Sequence, residues 1–494
     1  MEDTELEIKF RFINETDTDL LPENLKEVFS LNHISFKSRE LENIYYDTKE
    51  LSLNKAYLTF RTRKSGERCN ASVKLSDMDS ESMLFKRKEW EVGCDDLEPV
   101  PELFIDTGVW QRLKKALKGR KLVGLFKTEF TRSLYIISPS PQAEIEISVD
   151  KGKIVSEEKE LPILEMELEI KKGDILDLIS AAKRLSHSMA LLPEPLSKYE
   201  RGAALQGIRT HNERIRKKLI PTTGNIQGIF SHAMHHLVRC QNDFIAYPYD
   251  PKMLHRFRAA IASMRALTSF YRKNICLSFR KLVKSRLGPL SKMMSKAREL
   301  YILKQYCLDS EICSRDITEH IEEEINNEIE GVYSYILSGE TTIIILDLLQ
   351  GLASGAVEKD YKDFRKDTTR LFDKKYKKLK KTALKTHLGD PLEAHRLRIG
   401  YRELKNTIEC IENSYHSVRK KKKIKLSRIQ DEIGKLHDIW RNIELTKELF
   451  SKYDLDLSKE LNRHLEKLLE KQRKKAIRVF AGFGIDVADG REGR

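Results

Sequence analysis

The chain has 494 residues, of which 40% are hydrophobic and 34% charged, so it is long enough for two or three domains and apolar enough to give each a packed core. Its 90 Lys and Arg exceed its 76 Asp and Glu by 14, a balance that favours a polyanionic partner. Seven scattered Cys without a CxxC pair argue against a disulfide framework, and the acidic start Met1–Thr4 lacks the basic and apolar regions of a secretory signal, so a cytoplasmic protein is expected.

Up to about residue 205, short alternating segments rich in Val, Ile, Tyr and Phe recur between turn-forming clusters, which predicts an antiparallel sheet. Strands are expected at 5–12, 40–47, 57–63, 71–75, 85–92, 126–137, 143–149 and 165–170, with helices around 22–29, 101–117 and 174–185. Several of these strands carry a charged face. In the first, Glu5, Glu7, Lys9 and Arg11 alternate with Leu6, Ile8, Phe10 and Phe12 and therefore project together, two acids and two bases that suggest a metal and a polyanion held side by side. The same logic recurs in Arg61 and Arg63, in Lys74, in Arg87 with Glu89 and Glu91, in Glu144 with Glu146 and Asp150, and in Glu165 with Glu167 and Glu169. Such faces are either solvated or, in a sheet that closes on itself, line a cavity whose charges must be met by water, metal and an anion.

A basic, poorly periodic stretch between Gly207 and Gly224 reads as a linker. From about Ile226 to Phe480, apolar residues three and four apart with little proline predict a helical bundle. Its most apolar stretch, Thr341–Val357, is interrupted by Asp347 and Gln350 and reads as a buried helix rather than a membrane span. The segment from Leu254-His255-Arg256-Phe257-Arg258 to Arg265 matches that from Ala394-His395-Arg396-Leu397-Arg398 to Lys405, which suggests two related helical units. His255, Arg258 and Arg265 in one copy, and His395, Arg398, Arg402 and Lys405 in the other, each form a narrow stripe on a helix, as an anion-binding face would. His232, His235 and His236 have ligand spacing, but no carboxylate or Cys completes a metal pattern.

Taken in order, Glu5-x-Glu7-x-Lys9, Tyr45-Tyr46-Asp47-Thr48, Leu58 to Arg61 with Arg63, Lys74, Arg87-x-Glu89-x-Glu91, Thr131-Arg132, Glu144-x-Glu146 with Asp150-x-Gly152, Glu165-x-Glu167-x-Glu169, and Ser197-Lys198 with Arg201-Gly202 form a set. The set resembles the CYTH superfamily of triphosphate tunnel metalloenzymes across residues 1–205. The resemblance implies an antiparallel eight-stranded tunnel barrel. It assigns anion binding to Lys9, Arg11, Arg61, Arg63, Lys74, Arg87, Arg132 and Lys198. It assigns Mg²⁺ or Mn²⁺ and water activation to Glu5, Glu7, Glu144, Glu146, Glu165, Glu167 and Glu169, with Asp150 and Glu91 in reserve; Glu5, Glu7 and Lys9 form the expected catalytic set. Not all seven acids can ligate directly, because Mg²⁺ takes six oxygens and keeps several waters.

Residues 225–482 resemble the CHAD domain, more clearly in the second unit, where Gly434 is followed by His437-Asp438. In the first unit Lys292 and Ala262 depart from the pattern. This resemblance implies binding of inorganic polyphosphate by the two His and Arg stripes.

The expected protein is therefore α+β: a tunnel domain at 1–205, a linker at 206–224, an all-α bundle of two related units at 225–482 and a tail at 483–494. Its expected activity is metal-dependent hydrolysis of inorganic triphosphate to diphosphate and phosphate, with the helical domain binding polyphosphate and bringing the protein to polyphosphate granules. A non-catalytic polyphosphate-binding adaptor is the alternative. Nucleic acid ranks lower because the basic runs lack interleaved aromatics, and no membrane partner is expected.

Overall fold

The computed structural model describes residues 2–31, 34–76, 84–210, 224–310, 313, 315–411, 420–450 and 455–487. Contacts between Cα atoms divide the chain into two compact units: residues 1–222 with 234–239 and 335–355, and the remainder. Most of the expected linker, residues 211–223, and the last seven residues of the expected tail lie outside the described residues.

In chain order the first unit comprises β1 (Glu2–Phe12), α1 (Asp17–Phe29), β2 (Ser35–Asp47), α2 (Ser52–Lys55), β3 (Leu58–Ser65), β4 (Arg68–Ser76), β5 (Leu84–Cys94), α3 (Trp110–Leu117), β6 (Val123–Ser140), β7 (Ala143–Ser156), β8 (Lys159–Lys172), α4 (Ile175–Ser188), β9 (Leu191–Pro193) and α5 (Lys198–Leu205). The strands form one antiparallel sheet in the order β5-β4-β3-β2-β6-β7-β8-β1-β9, and β1 pairs additionally with β5. Among the described residues nine strands are present where eight are expected. The ninth, Leu191–Pro193, is buried throughout and only three residues long, so it offers no alternation by which a sequence could reveal it. The helix expected over 101–117 is likewise shorter: Pro101–Phe104 form a 3₁₀ turn and the α-helix starts at Trp110.

The sheet has an apolar and a charged face. Ile8, Phe10 and Phe12 of β1 are buried, as are Leu21 and Leu25 of α1 and Leu178, Ile179 and Leu185 of α4, and α4 packs against β1, β8 and α1. Tyr46, Leu58, Phe60, Val73 and Trp90 bury a second apolar cluster with Phe104, Leu113 and Leu117. Each fully buried side chain of this size contributes about 1.5–3 kcal/mol, so helices cover the apolar face and the charged face is left to line a cavity. One glycine shows how tightly the strands are stacked: a Cβ at Gly152 would lie 2.1 Å from the Glu129 carbonyl oxygen and 2.5 Å from Phe130 Cα. Only glycine fits opposite Phe130 there.

The remaining helices are α6 (Ile226–Ala246), α7 (Pro251–Phe270), α8 (Leu277–Met293), α9 (Ser295–Ser310), α10 (Arg315–Leu337), α11 (Glu340–Ala353), α12 (Phe364–Ala383), α13 (Pro391–Ile411), α14 (Lys420–Phe450) and α15 (Leu455–Ala481). The helix α11 is almost wholly buried and groups with the first unit, where it packs on α4; Lys183 bonds Asp347 at 2.7 Å and Gln350 at 2.8 Å. No single described helix is long and apolar enough to cross a membrane.

In the second unit α7 starts at an Asp250 cap, whose Oδ1 accepts from Lys252 N at 2.8 Å, with Pro251 at the first helical position. It buries Leu254, Phe257, Ile261, Met264 and Leu267, and α13 buries Ala394, Leu397, Tyr401, Leu404 and Ile408. These two helices pack against each other, which leaves their His and Arg stripes beside a shared seam.

Candidate active site and a second basic cluster

Cross-strand register sorts the charged residues into rows. Glu7 lies opposite Glu169, which lies opposite Glu146; Lys9 opposite Glu167, then Ser148; Arg11 opposite Glu165, then Asp150. Across the other edge of β1, Glu5 lies opposite Arg87, and Lys74 lies opposite Glu89. A cavity of about 110 Å³ is lined by Lys9, Arg61, Arg63, Lys74, Arg132 and Lys198. Among the expected anion-binding residues Arg11 is not in that lining, and the Arg87 side chain lies outside the described residues. Glu5, Glu7, Glu167 and Glu169 also line it, whereas Glu146 and Glu165 do not; Glu144 is exposed, set apart by a break in register between Glu144 and Ile145.

One part of the site is a dense knot of ion pairs. Arg132 forks onto Asp150 through Nε–Oδ1 and Nη2–Oδ2, both 2.6 Å, and its Nη2 lies 2.9 Å from Glu167 Oε2. Lys198 Nζ lies 2.6 Å from Asp150 Oδ2 and 3.2 Å from Glu167 Oε1, and also contacts Glu165. Lys9 contacts Glu167 and lies 3.2 Å from Glu7 Oε1, while Arg201 contacts Glu165. Burial would raise the Asp150 and Glu167 carboxyls, but Arg132 and Lys198 hold Asp150 below its usual range, and Lys198, Lys9 and Arg132 hold Glu167 well below. Lys198 is placed by a capping box: Ser197 Oγ accepts from Glu200 N at 3.2 Å, and Glu200 Oε2 accepts from Ser197 N at 2.9 Å.

A second part is shifted toward negative charge. Lys74 bonds both Glu5 and Glu89 at 2.8 Å, and Arg61 Nη2 reaches Glu89 at 3.1 Å. Burial pushes Glu5 up to about 7 despite Lys74, with Glu89 and Glu7 repelling its charged form. Burial also raises Glu169, which Lys171 opposes and Glu7 and Glu146 reinforce.

Arg63 stands apart. Burial, Arg61 and Arg132 lower its guanidinium to about 10, and its side-chain hydrogen bond goes to an amide, Asn43 Oδ1, at 2.7 Å. Among the described residues no carboxylate forms an ion pair with it. Tyr45, which lines the cavity, and Arg201 belong to the residue set of the resemblance without an expected role, whereas Asn43, Thr128 and the cavity-lining Asn54 and Tyr57 are not among the expected residues. The parity of β2 and β6 could have found Asn43 and Thr128, but uncharged polar residues do not stand out in a strand.

In the second unit the two stripes meet. Repulsion links Arg258 to Arg298, Arg402 and Arg398, and Arg402 to Arg265; with burial it lowers Arg258 and Arg398 to about 10. Desolvation and three cations, Arg298, Arg258 and Lys405, lower the His255 imidazole. Burial, then His437, Arg398 and Arg402, lower His395, whose ring stacks on His437 at a centroid distance of 4.8 Å. All seven expected residues thus belong to one cluster, joined by Arg298 of α9. Arg258 Nε and Arg398 Nε are buried without a hydrogen-bond partner. His232, by contrast, is half-buried, and desolvation pushes its imidazole down to about 4.

Comparison with known proteins identifies two domain families. The CYTH domain family matches residues 3–203 and the CHAD domain family residues 228–447. An inorganic triphosphatase of Haemophilus influenzae is 27% identical over 201 residues, 41% of this chain and 54% of the relative, so the chain spans about half the length of that relative. The CHAD domain of the plant Ricinus communis is similar at 16% identity over 52% of this chain and 90% of its own, with a TM-score of 0.45. A Hippeastrum protein studied as an adenylyl cyclase and described as having a dominant triphosphatase activity aligns at 16% identity over 42% of this chain and 99% of its own, with a TM-score of 0.31. The chain therefore joins a CYTH domain, at residues 3–203, to a CHAD domain, at residues 228–447.

Proposed function

We propose that the first unit hydrolyses inorganic triphosphate to diphosphate and phosphate with the help of a divalent cation, and that the His and Arg cluster of the second unit binds inorganic polyphosphate. The observation that carries the catalytic reading is Arg63, a cavity-lining cation that among the described residues forms no ion pair with a carboxylate and is repelled by Arg61 and Arg132. Arg61 and Arg132 repel the Arg63 guanidinium, and an oligophosphate relieves that repulsion. The pairing of β1 with both β5 and β8 supports a tunnel whose lining strands surround the anion.

The donor set fits a hard cation. Asp150, Glu165 and Glu167 bring carboxylate oxygens within 4.8 Å of one another, yet Lys9, Arg132, Lys198 and Arg201 already contact them. The raised Glu5 and Glu169, together with Glu7 and Glu146, mark the end with surplus negative charge, so we assign Mg²⁺ or Mn²⁺ to that end. When bound, such an ion neutralises phosphate charge and activates water for attack. The chain's own part is positional: Arg61, Arg63, Arg132 and Lys198 hold phosphoryl oxygens, and Lys9, between Glu7 and Glu167, faces charge that develops at the reacting group.

Phosphate release from triphosphate, ATP and long polyphosphate, each with Mg²⁺, Mn²⁺ or chelator, tests the proposal. Selective, metal-dependent turnover of triphosphate is expected. Binding of polyphosphate without turnover of any substrate would make the protein an adaptor.

Polyphosphate binding should also depend on pH. In the free protein His395 is held below its ordinary value, so it is neutral near pH 7. An anion reverses the repulsion and raises its proton affinity, so binding takes up protons and strengthens as pH falls. Calorimetry is expected to show affinity roughly tenfold higher at pH 6 than at pH 8, with the slope reduced in His395→Gln.

A further inference from the structure

Asn43 lies in the middle of β2, directly opposite Arg63 of β3 on one side and Thr128 of β6 on the other. Asn43 and Thr128 are both fully buried. Arg63 can only donate, so the atom that meets its Nε at 2.7 Å is the amide oxygen, Oδ1; the amide nitrogen then donates to Thr128 Oγ1 at 2.8 Å. Asparagine is a poor strand former, and burying its amide is tolerable only because both ends are satisfied. The row Arg63–Asn43–Thr128 therefore fixes one guanidinium from behind.

The choice of an amide is informative when set against the other cations around the cavity. Lys9, Arg61, Lys74, Arg132 and Lys198 each contact at least one carboxylate. Those contacts orient the cation and also cancel its charge. Asn43 provides the same kind of acceptor with no net charge, which leaves the remaining N–H donors of Arg63, and a charge that no carboxylate among the described residues ion-pairs, available to an incoming anion.

We propose that Asn43 is a positioning residue that orients Arg63 while keeping its charge uncompensated, so that the charge is spent on the phosphate substrate. This inference rests on the triphosphate reading above. It makes the neutrality of the side chain, rather than its shape, the property that matters. An aspartate there would have almost the same shape and would keep the acceptor, but it would pair with Arg63 before the substrate arrived.

The test uses the full chain and inorganic triphosphate as probe, with binding measured by calorimetry in the presence of chelator, turnover measured with metal, and thermal melts as a check on folding. Asn43→Asp is expected to weaken triphosphate binding about tenfold or more and to act mainly on KM. Asn43→Ala leaves the charge of Arg63 intact and is expected to weaken binding less, although it removes more of the side chain and lowers the melting temperature more. A purely structural role gives the reverse order in binding, with Ala the more damaging. That order, or Asp binding within twofold of the unaltered chain, would overturn the inference while leaving the triphosphate reading intact. Failure of the unaltered chain to bind or turn over triphosphate would overturn the functional reading and this inference with it.

Discussion

Glu7→Gln is expected to lower metal-dependent phosphate release from triphosphate at least about a thousandfold, equivalent to roughly 4 kcal/mol of transition-state stabilisation. Glu7 is buried, lies opposite Glu169 in the β1–β8 ladder and sits 3.2 Å from Lys9 Nζ. The amide keeps the size of the side chain but removes one charge from the acidic end of the site. Lys9 retains Glu167, so the fold should survive and the melting temperature should shift by no more than a few degrees. Phosphate release assayed across a metal titration checks this, alongside a melt of the same sample. Unchanged release from a folded variant would remove the acidic end of β1 from the active site.

Lys198→Met should be the most destabilising single change among the cavity residues. Lys198 touches Asp150, Glu165 and Glu167, and all four residues are buried. Removing one cation from that knot leaves carboxylates under-neutralised, which in a buried ion-pair network costs about 3–5 kcal/mol. The pH dependence has a definite sign. Asp150 and Glu167 are held below their unfolded values in part by Lys198, so the stability this provides is present above the ordinary carboxylate range and is lost as pH falls through the folded values. The gap between the original chain and Lys198→Met should therefore be wide at pH 7.5 and narrow only below about pH 4, where the lowered carboxyls of the original chain begin to take up protons. Chemical denaturation followed by a probe in the first unit measures it; a gap that does not change with pH would mean that Lys198 acts through packing alone.

Much of the site could be read from strand parity. Glu5, Glu7 and Lys9 are two apart, as are Glu165, Glu167 and Glu169, and the ladder places these acids and bases in adjacent rows. Helical spacing was equally legible: the stripes on α7 and α13 remain beside the buried faces of those helices and meet. Other assignments depended on pairings that a linear pattern does not contain. Glu144 shares parity with Glu146, but a break in register at the start of β7 takes it out of the row. Arg298 joins the basic cluster from α9, a helix with no repeated His and Arg pattern to draw attention to it.

Side-chain period and residue type are local properties of the chain, so the charged faces and most strands and helices are legible without the fold, whereas the three-residue β9 is not. Tertiary structure alone decided which charges meet. Asp150, Glu165 and Glu167 are knotted to Arg132, Lys198 and Lys9, whereas Arg63, identical in type to Arg61 two residues before it, faces an amide and keeps its charge. For Lys9, Arg63 and Arg132 the physical reason is register: each is met by the residue directly across the ladder, 158 positions away for Lys9 and 20 for Arg63, whereas Lys198 reaches the same carboxylates from α5.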